Sequence, residues 1–181
     1  MADQLTKPEQ KKLLGIARET IISFITSGKK PVVATEAARL NAQNGCFVTI
    51  KQNGQLRGCI GNFISNKPLY QLVQEMAIAA STQDPRFYPM KQHDLDNFTL
   101  EISVLSPLHK VETVDEIKVG THGIYIIKNS YHGVLLPQVA TEYGWDRDTF
   151  LKHTCLKAGL PENAWQNDCD IYIFSAQVFG E

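Results

Sequence analysis

Apolar positions in this chain follow two rhythms, one with helical spacing and one that alternates. Leu14, Ala17, Ile21, Phe24 and Ile25 recur every three or four residues, which predicts a helix with one buried face. Thr6-Lys7-Pro8-Glu9 fits a capping box at its start, and Gly28 closes it. A shorter helix is predicted over residues 36–42, closed by Asn44-Gly45. Leu69, Leu72, Val73, Met76, Ala77 and Ala80 predict a third helix over 68–81, capped near Ser65 or Asn66 and ended by Asp84-Pro85. Pro137 opens a further helical stretch that sets Gln138 and Glu142 on one face. Asp146 then reads as the N-cap of a helix reaching Ala158, with Gly159 and Pro161 beyond.

Alternation marks the strands. Residues 46–51 and 56–60 flank the turn signal Asn53-Gly54. A two-residue loop would pair Ile50 with Arg57 and mix polarity on both faces. A three-residue loop over 52–54, with Gly54 left-handed, sets Cys46, Val48 and Ile50 opposite Ile60, Gly58 and Leu56. It also sets Phe47 and Thr49 opposite Cys59 and Arg57. The second register yields one apolar and one polar face and is the one expected. Residues 98–105 form another strand. A second hairpin joins 124–128 to 133–136 around Asn129-Ser130, and 171–178 close the chain as a strand. Hairpin-connected strands with intervening helices predict an α+β fold with a mostly antiparallel sheet. No repeat, low-complexity tract or linker divides the 181 residues, so one domain is expected, with room for two subdomains.

Charge and cysteine usage narrow the function classes. Eighteen Lys and Arg stand against 19 Asp and Glu, a net charge of −1, which argues against a dedicated nucleic-acid binder. No signal core and no apolar run of the ~20 residues that a membrane span needs is present, so a soluble, cytoplasmic protein is expected. Cys46, Cys59, Cys155 and Cys169 show no C-x-x-C pair and no zinc spacing, and are expected as free thiols. Phosphate-loop, dinucleotide and serine-hydrolase signatures are missing as well.

Chemistry concentrates in Leu56-Arg57-Gly58-Cys59-Ile60-Gly61. Strand parity would project Arg57 and Cys59 side by side, and a guanidinium near a thiol favours the reactive thiolate. Gly58 and Gly61 leave room for a backbone or a ligand. A small side chain in a tight strand is the plainer explanation of Cys59. His122 and His132, each before a glycine, are the histidines placed to serve it; His93, His109 and His153 read as surface or helix-end residues. Asp84-Pro85-Arg86-Phe87 fits either an anion site or a helix-ending turn whose Arg pairs with a carboxylate. Lys157 fits a helix end, where a cation offsets the dipole. No metal-ligand spacing stands out, and no cofactor is assigned.

Taken together these segments resemble the AMMECR domain family. The likeness rests on Gly45-Cys-Phe-Val-Thr-Ile, Leu56-Arg-Gly-Cys-Ile-Gly-Asn-Phe, Asp84-Pro-Arg-Phe and Glu101-Ile-Ser-Val-Leu-Ser. It continues through His122-Gly123, Gly133-Val-Leu-Leu-Pro-Gln-Val-Ala-Thr-Glu and Lys157-Ala-Gly-Leu-Pro, in the family's order, over residues 10–180. Asn62, Thr82-Gln83 and Tyr88 depart from the family pattern. The resemblance implies a two-lobe α/β arrangement, a larger and a smaller subdomain, around a cleft that gathers these segments. It implies work beside Memo-like and radical SAM partner proteins, and a role in transcription, repair or translation has been proposed for members.

The expectation is therefore an enzyme, or a substrate-presenting subunit of one. Cys59, His122 and Glu142 are the catalytic candidates; Arg57, Gly58, Arg86 and Gln138 are the substrate-binding ones. A non-catalytic peptide or protein interaction module is the alternative, and a nucleic-acid role is the weakest. A homodimer is compatible with any of them.

Overall fold

The computed structural model describes residues 4–167 and 169–181. Helix α1 (Lys7–Ser27) begins where the capping box predicts. Thr6 Oγ1 accepts from the Glu9 N–H, and the Glu9 carboxylate accepts the Thr6 N–H at 2.8 Å. It stops at Gly28, whose φ of 69° suits a residue without a Cβ. Helix α2 (Ala38–Asn41) is shorter than expected, since no side chain caps its start and Leu40 is its one buried residue.

Strands β1 (Cys46–Gln52) and β2 (Gln55–Asn62) meet at Asn53-Gly54, with φ of 52° and 76°. This is a two-residue turn whose twist matches the strands it joins. At the tip Gln52 pairs with Gln55 and Lys51 with Leu56. The register then shifts, so that Ile50 faces Gly58 and Thr49 faces Cys59. Arg57 is the extra residue of a β-bulge. Both expected registers are thereby corrected, because Ile50 pairs with neither Leu56 nor Arg57. Beyond the bulge the faces sort as expected, with Gly58 and Ile60 opposite Ile50 and Val48. Leu56 leaves the apolar face and is 43% exposed.

Helix α3 (Leu69–Thr82) buries the six apolar residues that predicted it. Pro68 starts it without a side-chain cap; Ser65 Oγ instead accepts from the Lys67 N–H at 3.0 Å. Strand β3 (Phe98–Leu105) follows as read. The remaining elements are β4 (His109–Lys110), β5 (Gly123–Lys128), β6 (Tyr131–Leu135), α4 (Pro137–Tyr143) and α5 (Arg147–Lys157), then β7 (Asp170–Phe174) and β8 (Ala176–Gly180). Asp146 caps α5 through the Thr149 N–H at 2.8 Å. The single closing strand expected over 171–178 is two strands. Ser106 takes the Ser175 backbone on both sides, N–H to Oγ and C=O to N–H, each at 2.9 Å, and so interrupts the ladder.

The result is an α+β fold with two antiparallel four-stranded sheets, ordered β2-β1-β3-β8 and β4-β7-β5-β6, and five α-helices among the described residues. The chain divides into two compact units: unit 1 runs to Leu105 and takes back Gln177–Glu181, and unit 2 is Ser106–Ala176. Each has its own apolar core. In unit 1, Leu13, Ile21 and Leu72 of the helices pack with Val48, Ile50 and Ile102 of the sheet. In unit 2, Phe150, Leu151 and Cys155 pack with Ile124, Ile126 and Ile173. No helix among the described residues is long and apolar enough to cross a membrane.

Candidate active site on the edge strand of unit 1

Cys59 lies on β2, an edge strand of its sheet, and is half-buried. Its cross-strand partner Thr49 donates its hydroxyl to Cys59 Sγ at 3.2 Å. An edge strand also has outward N–H and C=O groups that need partners. For Cys59 these come from the turn after α3. Asp84 Oδ2 accepts the Cys59 N–H at 2.9 Å, and Arg86 Nη2 donates to the Cys59 C=O at 3.4 Å.

The turn is built to do this. Asp84 Oδ1 accepts the Arg86 N–H two residues on at 3.1 Å, and the Phe87 N–H closes onto the Asp84 carbonyl at 3.1 Å. Arg86 grips the same carboxylate with Nε at 3.0 Å and Nη2 at 2.7 Å, a two-point charge-assisted contact. The Asp84 side chain is 2% exposed and that of Arg86 55%. The Arg86 guanidinium, followed by the Cys59 and Arg86 N–H groups, holds the Asp84 carboxyl well below the usual carboxylate range, against the opposing push of burial. Arg86 is raised in return, chiefly by Asp84, with Cys59 a smaller contributor.

Gly58 explains why the turn reaches Cys59. A Cβ on Gly58 would lie 2.1 Å from the Ala80 carbonyl oxygen. The space the glycine leaves is thus filled by α3 backbone, which brings the end of the helix and the 84–86 turn onto β2. Gly58 serves a close backbone approach, the first of the two uses expected for it.

Arg57 goes elsewhere. The bulge breaks the alternation that would have set it beside Cys59, and its Nη2 lies 3.5 Å from Asp94 Oδ2. Both side chains are largely buried, and Arg57 Nη1 is buried without a hydrogen-bond partner. Burial pushes the Asp94 carboxyl up, but the Lys91 N–H and then Arg57 outweigh it, leaving a net fall. The expected Arg57–Cys59 pair is therefore corrected: the cation beside Cys59 is Arg86.

His122, Gln138 and Glu142 belong to unit 2. His122, half-buried before β5, accepts the Lys118 N–H on Nδ1 at 3.2 Å. Burial first, then the charges of Lys118 and His109, lowers its pKa against an opposing hydrogen bond to the Glu116 backbone. Gln138 and Glu142 are exposed on α4, and His132 is exposed on β6. His153 stacks on Trp145 with ring centroids 4.0 Å apart. Among the described residues no group of three or more His, Cys, Asp or Glu could hold a metal ion. Reading the sequence missed Thr49 and Asp94. Thr49 was accessible, since it shares the face of Cys59 in the register expected; Asp94 was not, because only the bulge brings Arg57 to it.

The fold is two-sheet α+β, and in unit 1 the Cys59 thiol accepts from the Thr49 hydroxyl while the Cys59 peptide is held by Asp84 and Arg86. The chain belongs to the AMMECR1 family, whose model matches residues 14–179. It is 44% identical to Protein MK0488 of Methanopyrus kandleri, over 100% of this chain and 92% of that protein. It is 40% identical to Protein MJ0810 of Methanocaldococcus jannaschii, over 98% and 92%. The crystal structure of PH0010 from Pyrococcus horikoshii is similar at a TM-score of 0.81 and 37% identity, covering 94% of this chain and 90% of that one.

Proposed function

We propose that unit 1 carries a thiol-dependent activity, as an enzyme or as the substrate-presenting subunit of one, with Cys59 as nucleophile or thiol ligand. One observation supports this most. Cys59 is a half-exposed thiol that accepts a hydroxyl hydrogen bond at Sγ, and its own peptide is fixed on both sides by Asp84 and Arg86. A reactive group held by its own backbone is preorganised for attack. Memo-like and radical SAM proteins are proposed as partners through the family resemblance.

Alkylation by iodoacetamide near neutral pH, with each cysteine resolved by mass spectrometry, tests the reading. Burial pushes the Cys46 thiol up to about 12 and raises that of Cys155. Cys59 should label faster than either by about tenfold or more. Labelling of Cys59 no faster than half-buried Cys169 would defeat the activated-thiol reading.

A second reading is a non-catalytic interaction module. It is favoured by the edge-closing role of Asp84 and Arg86, beside which Tyr88 is 90% exposed. Cys59→Ser separates the two: retained partner capture with retained cellular activity removes any catalytic part for the thiol.

A further inference from the structure

Within unit 1, helix α1 and strand β8 leave a groove of about 510 Å³ between them. Buried Leu14 and Phe179 make its floor apolar, and exposed Val178 lies at its rim. β8 is an outer strand: one side of its backbone pairs with β3, and the other has no strand partner among the described residues. The helix runs alongside it. Just before α1, Leu5 gives its N–H to the Gln177 amide at 2.8 Å and accepts from it at 3.0 Å. Toward the other end Arg18 grips Glu181, whose carboxylate also accepts the Leu100 N–H at 3.1 Å. Along α1 the wall reads Lys7, Lys11, Gly15, four residues apart on one ridge. Both lysines are exposed, and neither ammonium has a hydrogen bond or ion pair among the described residues. Gly15 sits inside a 21-residue helix, where glycine is disfavoured relative to alanine. Nothing in the chain requires it, since a Cβ there would meet no atom within 4 Å. Its missing side chain deepens the groove.

We infer that this groove receives an extended acidic segment of a partner protein, added to β8 as a further strand. Two carboxylate residues, two positions apart, face Lys7 and Lys11, and an apolar residue two positions on fills the space at Gly15. The spacing carries the pattern. Residues four apart on a helix are separated by roughly 6 Å along its axis, and residues two apart on a strand by roughly 6.6 Å. A strand lying along α1 therefore sets every second side chain against one member of the ridge. From Gln177 to Glu181, β8 offers roughly 13 Å of edge, the span of this pattern. Two unpaired ammonium groups select carboxylates and disfavour a basic segment. A second copy paired edge to edge does not satisfy them, because the carboxylate it would bring, Glu181, is held by Arg18. β8 and β2 are opposite edges of the sheet, so this surface stands or falls apart from the thiol reading.

Fluorescence anisotropy with the full chain tests this, using fluorescein-labelled Glu-Thr-Glu-Thr-Val and the reversed Val-Thr-Glu-Thr-Glu to cover both strand directions. One of the two should bind saturably, about tenfold or more tighter than its counterpart with lysine in place of glutamate. Replacing both lysines, Lys7→Gln with Lys11→Gln, should weaken binding about fivefold. Gly15→Leu fills the groove from a position with open space. It should abolish binding while its urea midpoint stays at or above the wild-type value. In an isotope-labelled chain the peptide should shift the Val178 and Gly180 amide signals and leave that of Cys59 in place. Absence of saturable binding by either peptide, equal binding of the lysine peptides, or undiminished binding by Gly15→Leu overturns the inference. So does self-association on sedimentation that Gly15→Leu removes, with no peptide bound, which would give the groove to a second copy.

Discussion

Two arginine–aspartate pairs bracket Cys59 within unit 1, and they differ in reach, burial and use. Arg57 is two residues from Cys59 in the chain, yet its guanidinium turns to Asp94 at 3.5 Å with Nη1 left buried and unpaired. Arg86 is 27 residues away, yet it touches the Cys59 carbonyl and closes on Asp84 at 2.7 Å. The near arginine has a loose, enclosed pair. The distant one has a tight pair with the acid inside and the cation outside. The difference comes from two backbone events: the bulge that diverts Arg57, and the glycine that lets α3 settle on β2. Proximity in sequence counts only while the alternation of the strand is intact.

The comparison is broken most forcefully at Gly58. Gly58→Ala would drive a methyl into the Ala80 carbonyl, a backbone atom that cannot step aside. We expect a stability loss of about 3 kcal/mol or more in urea unfolding. A loss under about 1 kcal/mol would mean that the helix is not held there as described.

Next come the two acids. Asp84→Asn removes the charge that holds two backbone N–H groups and a guanidinium, and should cost about 2–3 kcal/mol. Asp94→Asn should cost about 1 kcal/mol, because its arginine is already poorly paired. The reverse order in equilibrium unfolding would contradict the ranking of the pairs.

Acid titration sharpens the same contrast. Both carboxyls are lowered in the folded state. In the unfolded chain such a group protonates near pH ~3.9 while the folded one stays ionised, so the unfolded state binds more protons. Their contribution is complete above that pH and is lost as pH falls through the folded values. Stability measured from pH 6 downward should therefore decline below about pH 4. The decline should be shallower in Asp84→Asn than in the wild type, and less altered in Asp94→Asn. An unchanged decline in Asp84→Asn would contradict the role given to Asp84.

Much of this architecture was legible in the sequence, for local reasons. The Thr6 capping box, Gly28, the Asp146 cap and the alternation of 98–105 act over a few residues, and each appears where the chain predicts it. The faces of the first hairpin were legible too, though through the wrong loop: a two-residue turn plus one bulged residue restores the parity that a three-residue turn would give. The bulge itself has no compositional mark. Nor does the break at Ser175, where two strands with continuous alternation separate into different sheets because Ser106 holds the backbone between them. The site was half legible. Cys59 and the Asp84-Pro85-Arg86 turn stand out by residue type, whereas their meeting depends on the contact of Gly58 with Ala80, which only the fold supplies.

The central claim is that Arg86, rather than Arg57, is the cation that serves Cys59. The iodoacetamide rate at Cys59, compared among wild type, Arg57→Gln and Arg86→Gln at neutral pH, addresses it directly. Arg86 holds the Cys59 carbonyl and so helps to position the thiol, so Arg86→Gln should slow Cys59 by about threefold and Arg57→Gln should leave it unaltered. A rate that falls as far or further in Arg57→Gln than in Arg86→Gln would contradict the account.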